Sequence, residues 1–181
     1  MDVLHRLQTA VADNQQEFTR ALGKGRVRPV LEALWAPDMR EALRLNPDQP
    51  QVLNYLGYSF VDRGENLQEA LSMIERAVAR EPGSGYIIDS LAWAYFRRGR
   101  YDEAVAPMEK ASLLMPVDPI VTDHLGDVYW MVGRKREAQF QWHRALSFQP
   151  EPKDATRIQR KLDKGLDQVL QGEKAQGGNG G

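Results

Sequence analysis

The chain has 181 residues, with 24 Lys and Arg against 25 Asp and Glu, so its net charge of −1 gives no field to draw it to nucleic acid or an anionic membrane. A hydrophobic content of 42% is that of a folded protein with one real core. Cysteine is absent, which removes disulfides, thiol catalysis and the usual structural zinc sites.

In chain order, Leu4, Leu7, Val11 and Phe18 predict an amphipathic N-terminal helix, within an extension spanning 1–28. The start, MDVLHRLQTAVADNQQ, lacks the basic, apolar and small-residue segments of a signal peptide, so a cytoplasmic protein is expected; a periplasmic one is the alternative if this is a fragment of a longer envelope protein. No apolar run approaches the ~18 residues of a membrane span. Gly23-Lys24-Gly25 lacks the spacing and the Ser or Thr of a phosphate loop and reads as a linker. Residues 29–49 read as a degenerate partial repeat, with a helix at 38–46, because Met39, Ala42 and Pro47 stand 35 residues before Ile74, Ala77 and Pro82.

The dominant signal is periodic. Leu53, Leu56, Gly57 and Phe60 recur as Ile88, Leu91, Ala92 and Tyr95, and again as Thr122, Leu125, Gly126 and Tyr129. Each block continues alike, through Gly64, Ala70, Ile74, Ala77 and Pro82, then Gly99, Ala104, Met108, Ala111 and Pro116, then Gly133, Ala138, Trp142, Ala145 and Pro150. The second and third blocks are offset by 34 residues throughout. Small and apolar residues at i, i+3, i+4 and i+7 make one helical stripe, glycine stops the first helix and proline ends the second. The spacing therefore predicts helices at 51–63 and 66–80, 86–98 and 101–114, 120–132 and 135–148. They form three hairpins, spanning 50–84, 85–118 and 119–152, that bury their apolar sides only by stacking. Pro107 falls inside one of these helices and predicts a kink.

Beyond them, Ile158, Leu162, Leu166 and Val169 share a stripe, predicting a capping helix over 153–170. The remainder, 171–181, is expected to be a disordered tail. The basic residues of 153–164 are interleaved with Asp154 and Asp163, which favours a solvated face over a nucleic-acid surface.

The pattern resembles the tetratricopeptide repeat (TPR). That resemblance implies an all-α, right-handed solenoid of three near-complete repeats, with a C-terminal cap and a degenerate N-terminal helical region. It also implies a non-enzymatic scaffold that binds a peptide or helix of a partner protein in its concave groove. The stretches LNYLGYSFVDRGENLQEAL and DHLGDVYWMVGRKREA further resemble the C-terminal repeats of proteobacterial TPR adaptor proteins and lipoproteins, over about 46–165. The chain departs from the lipoprotein pattern in having neither a signal sequence nor a lipid-attachment cysteine.

Opposite the packing stripe, the first helix of each hairpin carries Gln51, Asn54, Tyr55, Tyr58 and Asp62; then Tyr86, Asp89, Ser90, Trp93 and Arg97; then Ile120, Asp123, His124, Asp127 and Met131, with Phe96 and Trp130 at the edge. A face meant only for water would hold mainly Glu, Lys, Arg and Gln. The expected partner-binding groove is therefore Asn54, Tyr55, Tyr58, Tyr86, Asp89, Trp93, Arg97, Asp123, His124, Asp127 and Trp130. Some of these aromatics fill the seam between helices on the blander reading. The three carboxylates favour a ligand with apolar or aromatic anchors and a basic residue, and disfavour an acidic C-terminal peptide. No catalytic, metal or cofactor site is expected: Asp123, His124 and Asp127 lack a second histidine at helical spacing, and His143 reads as partly buried structure. The expected state is a monomer or weak homo-oligomer. The alternative function is a structural solenoid that self-assembles through its repeat ends.

Overall fold

The computed structural model describes residues 43–177. The readings of Leu4 to Phe18, of the Gly23–Gly25 linker and of Met39 and Ala42 lie outside those residues. The described residues are helical and without strands: α1 (Pro50–Arg63), α2 (Leu67–Arg80), α3 (Gly85–Arg97), α4 (Tyr101–Leu114), α5 (Pro119–Met131), α6 (Lys135–Ser147), α7 (Pro152–Lys164) and α8 (Leu166–Gly177). Pairs α1/α2, α3/α4 and α5/α6 are the three hairpins, stacked as an all-α solenoid. Residues 43–45 are helical, and Leu43 packs on Leu53, Ala77 and Ile87.

Local chemistry sets the boundaries. The first helix of each hairpin gives way to Gly64, Gly99 or Gly133, with φ of 72°, 73° and 85°, a left-handed turn that reverses the chain. The Ser84 hydroxyl accepts from Ile87 N–H, and the Asp118 carboxylate accepts from Ile120 and Val121 N–H at 2.9 Å, capping α3 and α5. Inside the third hairpin a side chain at Gly126 would stand 2.4 Å from the Trp142 indole, so only glycine lets α5 and α6 approach this closely. The helix α4 runs through Pro107 without interruption.

Two devices repeat with the period and fasten neighbouring hairpins. Arg76, Lys110 and Arg144 each donate to a proline carbonyl at the end of the preceding repeat, Pro47, Pro82 and Pro116, with Lys110 Nζ at 2.9 Å. The hydroxyl of Tyr95 donates to Glu75 and that of Tyr129 to Glu109 at 2.7 Å, while Arg100 and Arg134 lie over the two tyrosine rings at 4.8 and 3.9 Å. Burial and the Glu109 carboxylate push the Tyr129 phenol up to about 12. A continuous core, from Val61 and Ile74 through Met108 and Trp142 to Ile158 and Leu166, links all the hairpins to the C-terminal pair.

The C-terminal region departs from expectation. The cap is two helices, α7 and α8, and the second continues through Gly177 where the sequence predicts disorder from Gln171. The joint is Gly165, at φ 84° and ψ 153°, backbone open essentially to glycine alone. A Cβ there would also meet the Trp130 ring at 2.7 Å. The turn carries Leu166 and Val169 into the core, and α8 persists beyond them because Glu173 pairs with Arg157 at 2.8 Å.

Candidate functional site

The inner surface is built from the first helices, α1, α3 and α5, and then from α7, which takes the place of a fourth. Two slots recur along it. One holds Asn54, Asp89, Asp123 and Arg157, spaced by 35, 34 and 34 residues; the other holds Tyr58, Trp93, Asp127 and Lys161 at the same spacing. Corresponding positions on successive helices thus face across the seams, and the seams decide what each does.

Between α3 and α5, His124 Nδ1 lies 3.0 Å from Asp89 Oδ1, and the imidazole stacks on Trp93 with centroids 4.0 Å apart. Trp93 also stacks on Phe96 at 4.7 Å, and Phe96 meets Tyr101 edge-on. Burial disfavours the charged imidazole, but the Asp89 carboxylate, with Asp123 and Asp127 beyond it, outweighs that and raises the His124 pKa.

Between α5 and α7 the charges close on themselves. Lys161 Nζ donates to both Asp123 oxygens at 2.7 Å and to Asp127 Oδ1 at 2.6 Å. Asp127 further accepts from Trp142 Nε1 at 2.9 Å and from Arg157 at 3.5 Å. Lys161 and Asp127 are wholly buried. Burial pushes the Asp123 carboxyl up, against the pull of Lys161 and with the help of Asp127. At the rim Trp130 Nε1 donates to Asp167 at 2.8 Å.

The sequence-predicted residues therefore separate. Asp89, Trp93, Asp123, His124 and Asp127 are buried seam residues, and Trp130 is half-buried against α8. The expected demand for a basic ligand is corrected accordingly: the carboxylates meant to recruit it are engaged by His124, Lys161 and Arg157 of the same chain. His143 is corrected too, being exposed. Of the first two repeats, Tyr55 and Asn54 are buried, Tyr58 and Tyr86 half-buried, and Arg97 exposed. The Asn54 amide is buried, and among the described residues neither its oxygen nor its nitrogen has a hydrogen-bond partner. Sequence reasoning put Arg157 and Lys161 on a basic cap that makes the groove bipolar, and missed that they pair with Asp123 and Asp127. Their 34-residue register with Asp123 and Asp127 is the signal that could have found the pairing.

Among the described residues no group of His, Asp or Glu is arranged to hold a metal ion, and no helix is long and apolar enough to cross a membrane.

Such a stack of 34-residue helical hairpins with a lined inner face defines a helical-repeat protein. The family model described as tetratricopeptide repeat matches residues 36–85 and 61–112. A TPR repeat-containing protein of Pseudomonas aeruginosa is 33% identical over 90 residues, 50% of this chain and 15% of that protein. The human antiviral innate immune response effector IFIT1 is 30% identical over 91 residues, 50% of this chain and 19% of its own length. The chain thus spans less than a fifth of either relative. Among solved structures, the first TPR of Spaghetti (RPAP3) bound to the HSP90 peptide SRMEEVD superposes with a TM-score of 0.57 at 22% identity, covering 66% of this chain and 94% of that one. MamA does so with a TM-score of 0.56 at 23% identity, covering 70% and 75%. Residues 36–112 of this chain thus match the tetratricopeptide-repeat family, and the described residues share the fold of solved TPR domains.

Proposed function

We propose that the chain is a non-enzymatic scaffold that holds an extended segment of a partner protein along the inner faces of α1 and α3. The fold is one whose members act as protein-binding scaffolds, and the Spaghetti domain of similar fold was solved with a peptide bound. The observation that carries the reading is the contrast between the two ends of the inner surface. In the third repeat every polar group of the slots is satisfied by the chain itself. In the first, the buried Asn54 amide is unsatisfied among the described residues, and such a group costs roughly 1–3 kcal/mol. A ligand that opens the packing over Asn54 supplies, through its backbone N–H and C=O, the donor and acceptor that the amide lacks among the described residues. Tyr58 and Tyr86, half-buried on the same stripe, offer area to apolar or aromatic anchors.

Since Asp89, Asp123 and Asp127 are already paired, the segment is read by shape and apolar anchors, with Arg97 as the exposed charge. A peptide array, followed by anisotropy titration of its best binder at two salt concentrations, tests this. Tyr58→Ala should weaken that peptide by about 2 kcal/mol or more with helical content intact. Salt dependence should be shallow. Unchanged affinity in both Tyr58→Ala and Asn54→Ala overturns the reading.

A further inference from the structure

The joint between the third repeat and the C-terminal pair is unlike the joints between repeats. At those, the residue before proline has an ordinary backbone: Glu81 at φ −129° and Met115 at φ −127°. Each then meets a helix capped by a side chain, Ser84 or Asp118. At the third joint Gln149 holds φ 55°, left-handed backbone that a side chain disfavours. It also precedes Pro150, which biases its neighbour towards extended conformations. No side chain caps α7 at Glu151. Gln149 is thus held against its own preference, and an extended path through it would relieve the joint.

What lies beyond that hinge is held by contacts that all cross it. Lys161 and Arg157 meet Asp123 and Asp127, Asp167 meets Trp130 and Lys135, and Gly165 lies on the Trp130 ring. Every one of them can be made equally well by a second copy of the chain, and the buried Lys161–Asp pairing would admit nothing but the same helix in the same register. We infer that α7 and α8 exchange between two copies, the hinge at 148–151 opening so that each pair completes the third repeat of the other. The exchange conserves the interface and releases Gln149, which is the condition under which domain swapping becomes a low-cost route to a dimer. Such a dimer carries two inner surfaces, so a partner with two binding segments gains avidity.

The chain has no cysteine, which makes the test direct. Full-length Lys135→Cys and Asp167→Cys variants are unfolded together, refolded at high concentration and treated with a short bis-maleimide. The native side chains are 3.6 Å apart across the interface. The expected result is a dimer by light scattering in which residue 135 of one copy is linked to residue 167 of the other, identified by peptide mass. Gln149→Gly, which removes the hinge strain, should weaken the dimer roughly a hundredfold, about tenfold for the one left-handed side chain released in each of the two hinges. A chain that stays monomeric at every concentration overturns the inference. So does a dimer without the 135–167 link, or one whose affinity Gln149→Gly leaves unchanged.

Discussion

Lys161 and Asp127 form an ion pair at 2.6 Å in which neither side chain has any exposed surface. Two buried charges are expensive to desolvate, and the pair is tolerated because its partners are complete. Asp127 also accepts from Trp142 and Arg157, and Lys161 spends its remaining donors on Asp123. The pair contributes little net stability by itself, but it fixes the register in which α7 docks on α5.

Removing one partner is therefore worse than removing both. Lys161→Met should destabilise the chain by about 3–5 kcal/mol, because it strands two carboxylates in the core. The triple change Lys161→Met, Asp123→Asn and Asp127→Asn should recover part of that loss. Urea denaturation of the three chains measures it. If Lys161→Met alone unfolds at the wild-type midpoint, the pair is not buried as described.

The third hairpin gives a sharper packing test. Gly126→Ala pushes a methyl to 2.4 Å from the Trp142 indole, a rigid ring held by its Nε1 hydrogen bond to Asp127. A loss of roughly 1–3 kcal/mol is expected from overpacking. Helix propensity alone would make the same change stabilising, so the sign of the shift in melting temperature decides between the two effects.

The repeats were legible in the sequence because the period of Gly57, Ala92 and Gly126 and the prolines behind them carries both the helices and their turns. The C-terminal pair was not. Ile158, Leu162, Leu166 and Val169 fit a single unbroken stripe, and only the left-handed Gly165 against Trp130 divides it. The inner face was legible in place but not in role. Helical spacing puts Asp89, Asp123 and Asp127 on it, yet spacing within a helix says nothing of what the next helix brings, and Lys161 lies 34 residues beyond Asp127 in a segment without repeat consensus.

Stability should also respond to pH through His124. Burial works against its protonation, but Asp89 at 3.0 Å dominates, so the folded pKa stands above the unfolded 6.5. The native state then holds the proton more tightly than the unfolded chain. The contribution is fully present below pH 6.5 and is lost as the pH climbs through the folded value. Asp123, whose carboxyl burial also raises, adds a slope of the same sign as the pH rises above its ordinary value. Urea midpoints from pH 6 upward should fall in the wild type and flatten in His124→Gln. A midpoint that rises over that range contradicts the Asp89–His124 pairing.

Trp93 separates fold from binding. Its sequence position, on the inner face of α3 between Tyr58 and Asp127 in neighbouring repeats, predicts a contact to the partner. In the structure it is only 9% exposed, sandwiched between the His124 imidazole and the Phe96 ring. Trp93→Ala should thus cost about 3–5 kcal/mol of stability, as a large buried side chain does, and release His124 from its stacking partner. Tyr58→Ala, on the half-exposed part of the same slot, should cost much less stability while weakening the selected peptide. Denaturation midpoints and anisotropy titrations on both variants, at a temperature where each is folded, give four numbers. The expected pattern is a large loss of stability for Trp93→Ala and a large loss of affinity for Tyr58→Ala. The reverse pattern would move the binding surface off α1 and into the seam between α3 and α5.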